Sequence, residues 1–359
     1  MKSRFFRSLG KAMALFLALG SIFTAAVLLA FLWVGSGWFI VPKRRPLEPR
    51  HNEVLKRPSD FGMELEEVDI VLADGVSLHS YIATRSQAPG VAEKTREMSR
   101  RLHARGIEIG EESRGTVYLL HGRGGRKEDL LWVAKRLVAA NLRCVVYDAR
   151  AHGKSGGQFC TFGKKEIEDF VSVIDFHEDL FAQRGETSGP VFAFGNSLGA
   201  SVVLQSLPVE KRISAAVAVA PFANLTEIVI RSAKYKIHEK VPLPLVYGAI
   251  QLGGMRAGFE PFAVSPINQV KDSQVPLLLV HGTEDKLIPI EHSRRLLDRS
   301  PQGFATLREI PDAFHYNVLA EGGDNLYEEI ILFYLNFQKG TGHDPATTSL
   351  SELRAGAKG

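Results

Sequence analysis

Residues 191–200 read Val-Phe-Ala-Phe-Gly-Asn-Ser-Leu-Gly-Ala, an apolar strand running into Gly195-x-Ser197-x-Gly199 and then a helix-like stretch. That arrangement lifts a serine hydroxyl onto a sharp strand-to-helix turn, where side chains at the flanking positions would collide with the neighbouring strand and helix. A serine hydroxyl is hardly nucleophilic at neutral pH, so acyl-transfer chemistry there needs an adjacent base. With 33 glycines in 359 residues, three matched positions can arise by chance, and the rest of the chain must decide.

Several βα units surround this turn. Thr116–Leu120 predicts a strand ending in His121-Gly122-Arg123-Gly124-Gly125. Val275–Val280 predicts another, ending in His281-Gly282-Thr283-Glu284-Asp285 and Pro289. A short strand over Thr306–Ile310 precedes Pro311-Asp312-Ala313-Phe314-His315. Arg143–Tyr147, Val191–Phe194 and Ile213–Ala220 are nearly continuous apolar runs, as parallel strands covered on both faces should be. Helical periodicity covers Glu128–Ala140, Lys164–Phe181 and Leu198–Leu207, and Asp74-Gly75 between Val68–Leu72 and Val76–Ala83 signals an antiparallel hairpin.

Together with the Tyr147–Gly157 segment, these motifs resemble the α/β-hydrolase superfamily, and within it the membrane-anchored, Bem46-like serine hydrolases. The resemblance runs from about Leu65 to Lys339. It implies a mostly parallel sheet with an antiparallel N-terminal hairpin and helices on both faces. Serine, acid and histidine in that chain order imply a triad of Ser197 as nucleophile, Asp285 as orienting acid and His315 as base. The His-Gly-x-x-Asp-x-x-x-Pro pattern favours Asp285 over its neighbour Glu284. The oxyanion donors it implies are the backbone N–H groups of Leu198 and Arg123. The Arg123 side chain is expected to be an ordinary solvated arginine. His121, His152 and His281 are expected to support loops, and Asp148 to brace the turn that follows it. Neither a cofactor nor a metal is implied. The expected activity is hydrolysis of carboxylic esters or thioesters, with acyl or lipid-like substrates, through an acyl-enzyme. An amidase or peptidase of the same fold, or a non-catalytic scaffold, are the alternatives.

Composition bounds the rest. The chain is 45% hydrophobic and 23% charged, enough for one large core. A net charge of +4, much of it beside the N-terminal apolar run, makes no nucleic-acid surface. Cys144 and Cys160 form neither a disulfide framework nor a Cys/His ligand cluster.

Ala12–Pro42 carries no charged residue and is long enough to cross a bilayer, with Trp33 and Trp38 near its end where indoles favour the headgroup zone. A cleaved signal peptide has a shorter apolar core. The expected organisation is a basic flank (1–11), a transmembrane anchor outside the globular fold (12–41), a juxtamembrane linker (42–64) and the hydrolase domain (65–339). Within that domain, 86–114 is a charged insertion, expected as an amphipathic helix or a mobile excursion, and 222–270 a lid over the active site. A disordered tail (340–359) follows. Basic residues flank the apolar run on both sides, so charge does not set its orientation.

Overall fold

The structure is a computed structural model describing residues 2–87, 90–110 and 112–337. The expected tail, 340–359, lies outside the described residues. Among these, eight strands form one sheet: β1 (Met63–Val71), β2 (Ser77–Arg85), β3 (Thr116–Leu120), β4 (Arg143–Tyr147), β5 (Val191–Asn196), β6 (Ile213–Val219), β7 (Leu277–Gly282) and β8 (Ala305–Ile310). Their order is β1-β2-β4-β3-β5-β6-β7-β8, antiparallel at the first three strands and parallel thereafter. The helices are α1 (Lys2–Ile40), α2 (Pro49–Lys56), α3 (Glu93–Ala104), α4 (Leu131–Leu137), α5 (Lys164–Gln183), α6 (Leu198–Ser206), α7 (Leu225–Lys236), α8 (Leu243–Ala257), α9 (Pro266–Val270), α10 (Glu291–Arg299) and α11 (Val318–Asn336).

The two-residue period of a strand explains the layers. Along β3, Tyr118 and Leu120 join the core beneath α5 and α6, while Val117 and Leu119 join the one beneath α3, α4 and α11. All five residues of β3 and of β4 are buried, as a strand covered on both faces requires. The βα alternation thus places the chemistry-bearing turns after β3, β5 and β7 along one edge, at the carboxyl ends of adjacent parallel strands.

Two expectations need revision and a third is narrowed. The 42–64 stretch is not a bare linker: it holds α2 and a 3-10 turn over Pro58–Phe61, with Val54 and Phe61 buried, and β1 already begins at Met63. Alternating Glu residues in β1 hid its first half. The insertion takes the helical form, α3, which buries Met98 and Leu102 and pairs Arg101 and Arg105 with Glu328 on α11. Finally, the apolar helix is not wholly outside the fold. From Met13 onward most of α1 is exposed, but Ser36, Phe39 and Ile40 are buried, Phe39 stacks on Phe162 with ring centroids 5.0 Å apart, and the Cys160 N–H donates to the Ile40 carbonyl at 2.8 Å.

Candidate active site

The turn at Ser197 is built by exclusion. A Cβ on Gly199 would lie 2.1 Å from the Leu120 carbonyl oxygen, and one on Gly195 2.4 Å from the Ala200 nitrogen. Only glycine lets α6 pack this closely against β3 and β5. Ser197 itself sits at φ 54°, ψ −112°, a conformation that L residues rarely adopt, and is held there by donating its N–H to Val219 O at 2.8 Å. Its hydroxyl is partly exposed.

His315 reaches this hydroxyl from a loop between β8 and α11. Its position is fixed by a seam between two loops: Thr283 N–H donates to Ile310 O, Glu284 N–H to Ala313 O, and Asp312 N–H to Thr283 Oγ1. At this seam Gly282 comes so near that a Cβ there would stand 2.2 Å from the Ala313 oxygen. His315 Nε2 lies 2.9 Å from Ser197 Oγ, and its Nδ1 2.7 Å from Asp285 Oδ2. Since a carboxylate can only accept, Nδ1 carries the proton and Nε2 is free to receive one from the serine.

Asp285 is fully buried, whereas Glu284 is exposed. Burial alone would raise the Asp285 pKa. Hydrogen bonds from His281 and His315, the charge of His315 and the Ile288 N–H outweigh it and hold the carboxyl well below its ordinary range. Asp285 Oδ1 also accepts from the N–H groups of Leu287 (2.9 Å) and Ile288 (2.8 Å), fixing its orientation. The arrangement is a buried anion orienting an imidazole against a partly exposed hydroxyl.

Leu198 is the first residue of α6, so its N–H has no acceptor within the helix. The Gly122–Arg123 turn lies directly opposite: a Cβ on Gly122 would touch Ser197 Cβ at 3.3 Å. Both backbone segments singled out for oxyanion binding therefore flank the serine.

The Arg123 side chain differs from expectation in part. It is exposed, as expected, but it also donates from Nη2 to the carbonyls of Trp38 (2.6 Å), Phe39 (3.0 Å) and Val41 (3.3 Å), the open C-terminal end of α1. Terminal helix carbonyls carry partial negative charge, which suits a guanidinium. Two neighbours act similarly: Arg44 donates to the carbonyls of His152, Gly153, Ser155 and Gly157, and Arg45 to Gly124 O and Asp129. Sequence reasoning read these arginines as membrane flank. Their position just after an apolar helix signals either role.

His121, His152 and His281 bond to loops. His121 Nδ1 lies 2.8 Å from Gly122 O while its Nε2 accepts from Ala149 N–H at 3.0 Å, tying the first glycine-rich turn to the strand end after β4. His281 bridges Ser293 Oγ and Ile288 O. His152 contacts Arg150 O, and burial followed by the neighbouring His121 lowers its pKa to about 3, so it is neutral near pH 7. Asp148 accepts from the N–H of Lys127 and Lys154 and pairs with Lys127 Nζ at 3.1 Å. Among the described residues, no group of three or more His, Cys, Asp or Glu side chains is disposed to hold a metal ion.

A family model described as serine aminopeptidase S33 matches residues 111–251, which include Ser197 and the Gly122 turn. By structure, the chain is similar to an esterase from Pyrococcus furiosus with a TM-score of 0.60 and 22% identity, covering 82% of this chain and 98% of that one. The chain has the α/β-hydrolase fold. By sequence, the chain is 25% identical over 234 residues to a monoacylglycerol lipase of Mycolicibacterium smegmatis, covering 57% of the chain and 82% of the lipase. It is 22% identical over 274 residues to the protein bem46 of Schizosaccharomyces pombe, covering 76% and 77% respectively. The chain is thus similar to bem46 and to proteins named as a lipase and an esterase.

Proposed function

We infer that this hydrolase cleaves carboxylic ester or thioester bonds of acyl or lipid-like substrates, through an acyl-enzyme on Ser197, while tethered to a membrane by α1. The observation that carries the reading is the continuous hydrogen-bonded line from Ser197 Oγ through both nitrogens of His315 to the buried Asp285 carboxylate. As Oγ attacks the substrate carbonyl carbon, His315 Nε2 takes its proton, and Asp285 stabilises the resulting imidazolium without accepting that proton. The carbonyl oxygen becomes an oxyanion that the N–H groups of Leu198 and Arg123 would receive. Collapse expels the alcohol or thiol, which leaves with the proton from Nε2. A water then delivers its proton to His315 and attacks the acyl carbon, and Ser197 departs reprotonated.

The lipase and esterase among the relatives support an ester substrate, and the 28-residue apolar span Met13–Ile40 supports the tether. The S33 aminopeptidase description favours a second reading, amide hydrolysis. The test is a panel of matched acyl esters, thioesters and amides with the purified full chain and Ser197→Ala. Ester or thioester turnover lost in the variant supports the reading; turnover confined to amides replaces it with the second; turnover retained by Ser197→Ala refutes the serine mechanism.

A further inference from the structure

We propose that the lid helix α8 and the end of α7 form a second membrane-contacting surface, seated in the headgroup and upper acyl region of the leaflet from which α1 emerges. The inference rests on α1 being a membrane span, and concerns a different part of the chain. The first observation is that α1 and α8 pack closely side by side. A Cβ on Gly35 would touch Ala249 Cβ at 3.3 Å, one on Gly248 would meet Leu32 at 3.0 Å, and one on Gly253 would lie 2.7 Å from the Phe39 ring. Small residues at such contacts let helices approach closely, as they do inside membranes. Arg256 reinforces the pair from the end of α8: its guanidinium lies 3.8 Å from the centre of the Trp33 ring and donates to Trp33 O and Ser36 Oγ.

The second observation is depth. The 28 residues Met13–Ile40 extend about 42 Å at the helical rise, against a hydrocarbon core of roughly 30 Å. If the run fills the core from its N-terminal end, the final residues, 33–40, stand in the interface. They hold the α8 contacts at Trp33, Gly35, Ser36 and Phe39, with Leu32 at the boundary, and they include both tryptophans. Because α8 runs alongside α1 in the same direction, its first turns lie towards the bilayer.

The third observation is what α8 presents on its free side. Leu243, Pro244, Tyr247, Gln251 and Met255 are exposed at helical spacing, with Met255 at 72%, and Phe262 packs beside Tyr247. The only polar member of this stripe is uncharged. Next to it, the exposed end of α7 carries Lys234, Tyr235, Lys236 and Ile237, followed by Lys240, with Glu239 the one acid. Lys236 Nζ lies 5.2 Å from the Trp38 ring centre, which joins this end of α7 to the same collar around α1. An apolar stripe bordered by lysines and aromatic rings matches an interfacial surface, the lysines facing the headgroups.

The test is depth measurement by spin labels on the full chain reconstituted in phosphatidylcholine vesicles, with single cysteines at Leu19, Leu243, Met255 and, on the opposite face of the sheet, His103. Cys144 and Cys160 are buried and stay unlabelled. The expected result is an oxygen-to-nickel-chelate accessibility ratio several-fold higher at Leu19→Cys, Leu243→Cys and Met255→Cys than at His103→Cys. Aqueous ratios at 243 and 255 with a membrane ratio at 19 overturn the lid surface and leave the anchor standing. An aqueous ratio at 19 overturns the anchor and the lid surface with it.

Discussion

Replacing Asp285 with asparagine tests the role of the buried carboxylate with almost no change in shape. Its Oδ1 accepts two backbone N–H groups, from Leu287 and Ile288, so an asparagine keeps its oxygen on that side. The amide NH2 then faces His315 Nδ1, at the position of the present 2.7 Å contact. Two donors cannot share a hydrogen bond, so the imidazole must shift its proton to Nε2 and present N–H to Ser197 Oγ. In that tautomer it cannot take the serine proton, and no anion stabilises the imidazolium. A triad left in the wrong tautomer loses about 10⁴-fold in kcat, or about 5.5 kcal/mol of transition-state stabilisation. The neighbouring Glu284→Gln change supplies the control, because Glu284 is exposed. Steady-state hydrolysis of a soluble acyl ester by the full chain and both variants is the assay, with circular dichroism to establish folding. The reasoning is refuted if Asp285→Asn stays within about tenfold of wild type, or if Glu284→Gln is the variant that loses activity.

Further outcomes follow from other parts of the site. Ser197→Gly abolishes hydrolysis yet stabilises the fold by about 1 kcal/mol, read from thermal unfolding, since glycine relieves the φ 54° conformation. Arg123→Met strips three carbonyls of a charged donor and costs about 1 kcal/mol of stability, with kcat falling more than KM rises if, as proposed, the backbone N–H of this residue receives the oxyanion. Stability also falls in mild acid. Burial lowers the pKa of His152 to about 3, of His177 to about 4 and of His292 to about 4. The unfolded chain therefore binds protons that the folded one refuses, and the contribution of these groups is intact above the unfolded value near 6.5 and lost progressively below it, by up to about 1.4 kcal/mol per pH unit for each. Chemical denaturation between pH 7.5 and 5 reads this loss, and His177→Phe reduces its slope.

The strands around the site were legible because each is a short apolar run ending in glycine or a charged cluster, and β3, β4 and β7 lie within a few residues of their expected bounds. The turn at Ser197 was legible for a stronger reason: its two glycines answer collisions with Leu120 and Ala200 that any such turn would suffer. Other features were not legible because they depend on partners distant in sequence. Arg123 looks like any loop arginine until the end of α1, more than eighty residues earlier, is seen to need a cap. Phe39 and Ile40 read as the last of an apolar run, and nothing local says that they stack into the core beside Phe162. The first half of β1 was obscured because Glu64, Glu66 and Glu67 face outward from an edge strand, where charge is tolerated and the usual apolar signal fades.

The central claim is that Ser197 is a nucleophile activated by His315. Its most direct test is to treat the membrane-reconstituted full chain with a fluorophosphonate and locate the adduct by peptide mass spectrometry, beside Ser197→Ala and His315→Ala. The account predicts one adduct, on Ser197, absent from the first variant and strongly slowed in the second. An adduct on another residue, or no adduct on a folded chain that still hydrolyses esters, would contradict it.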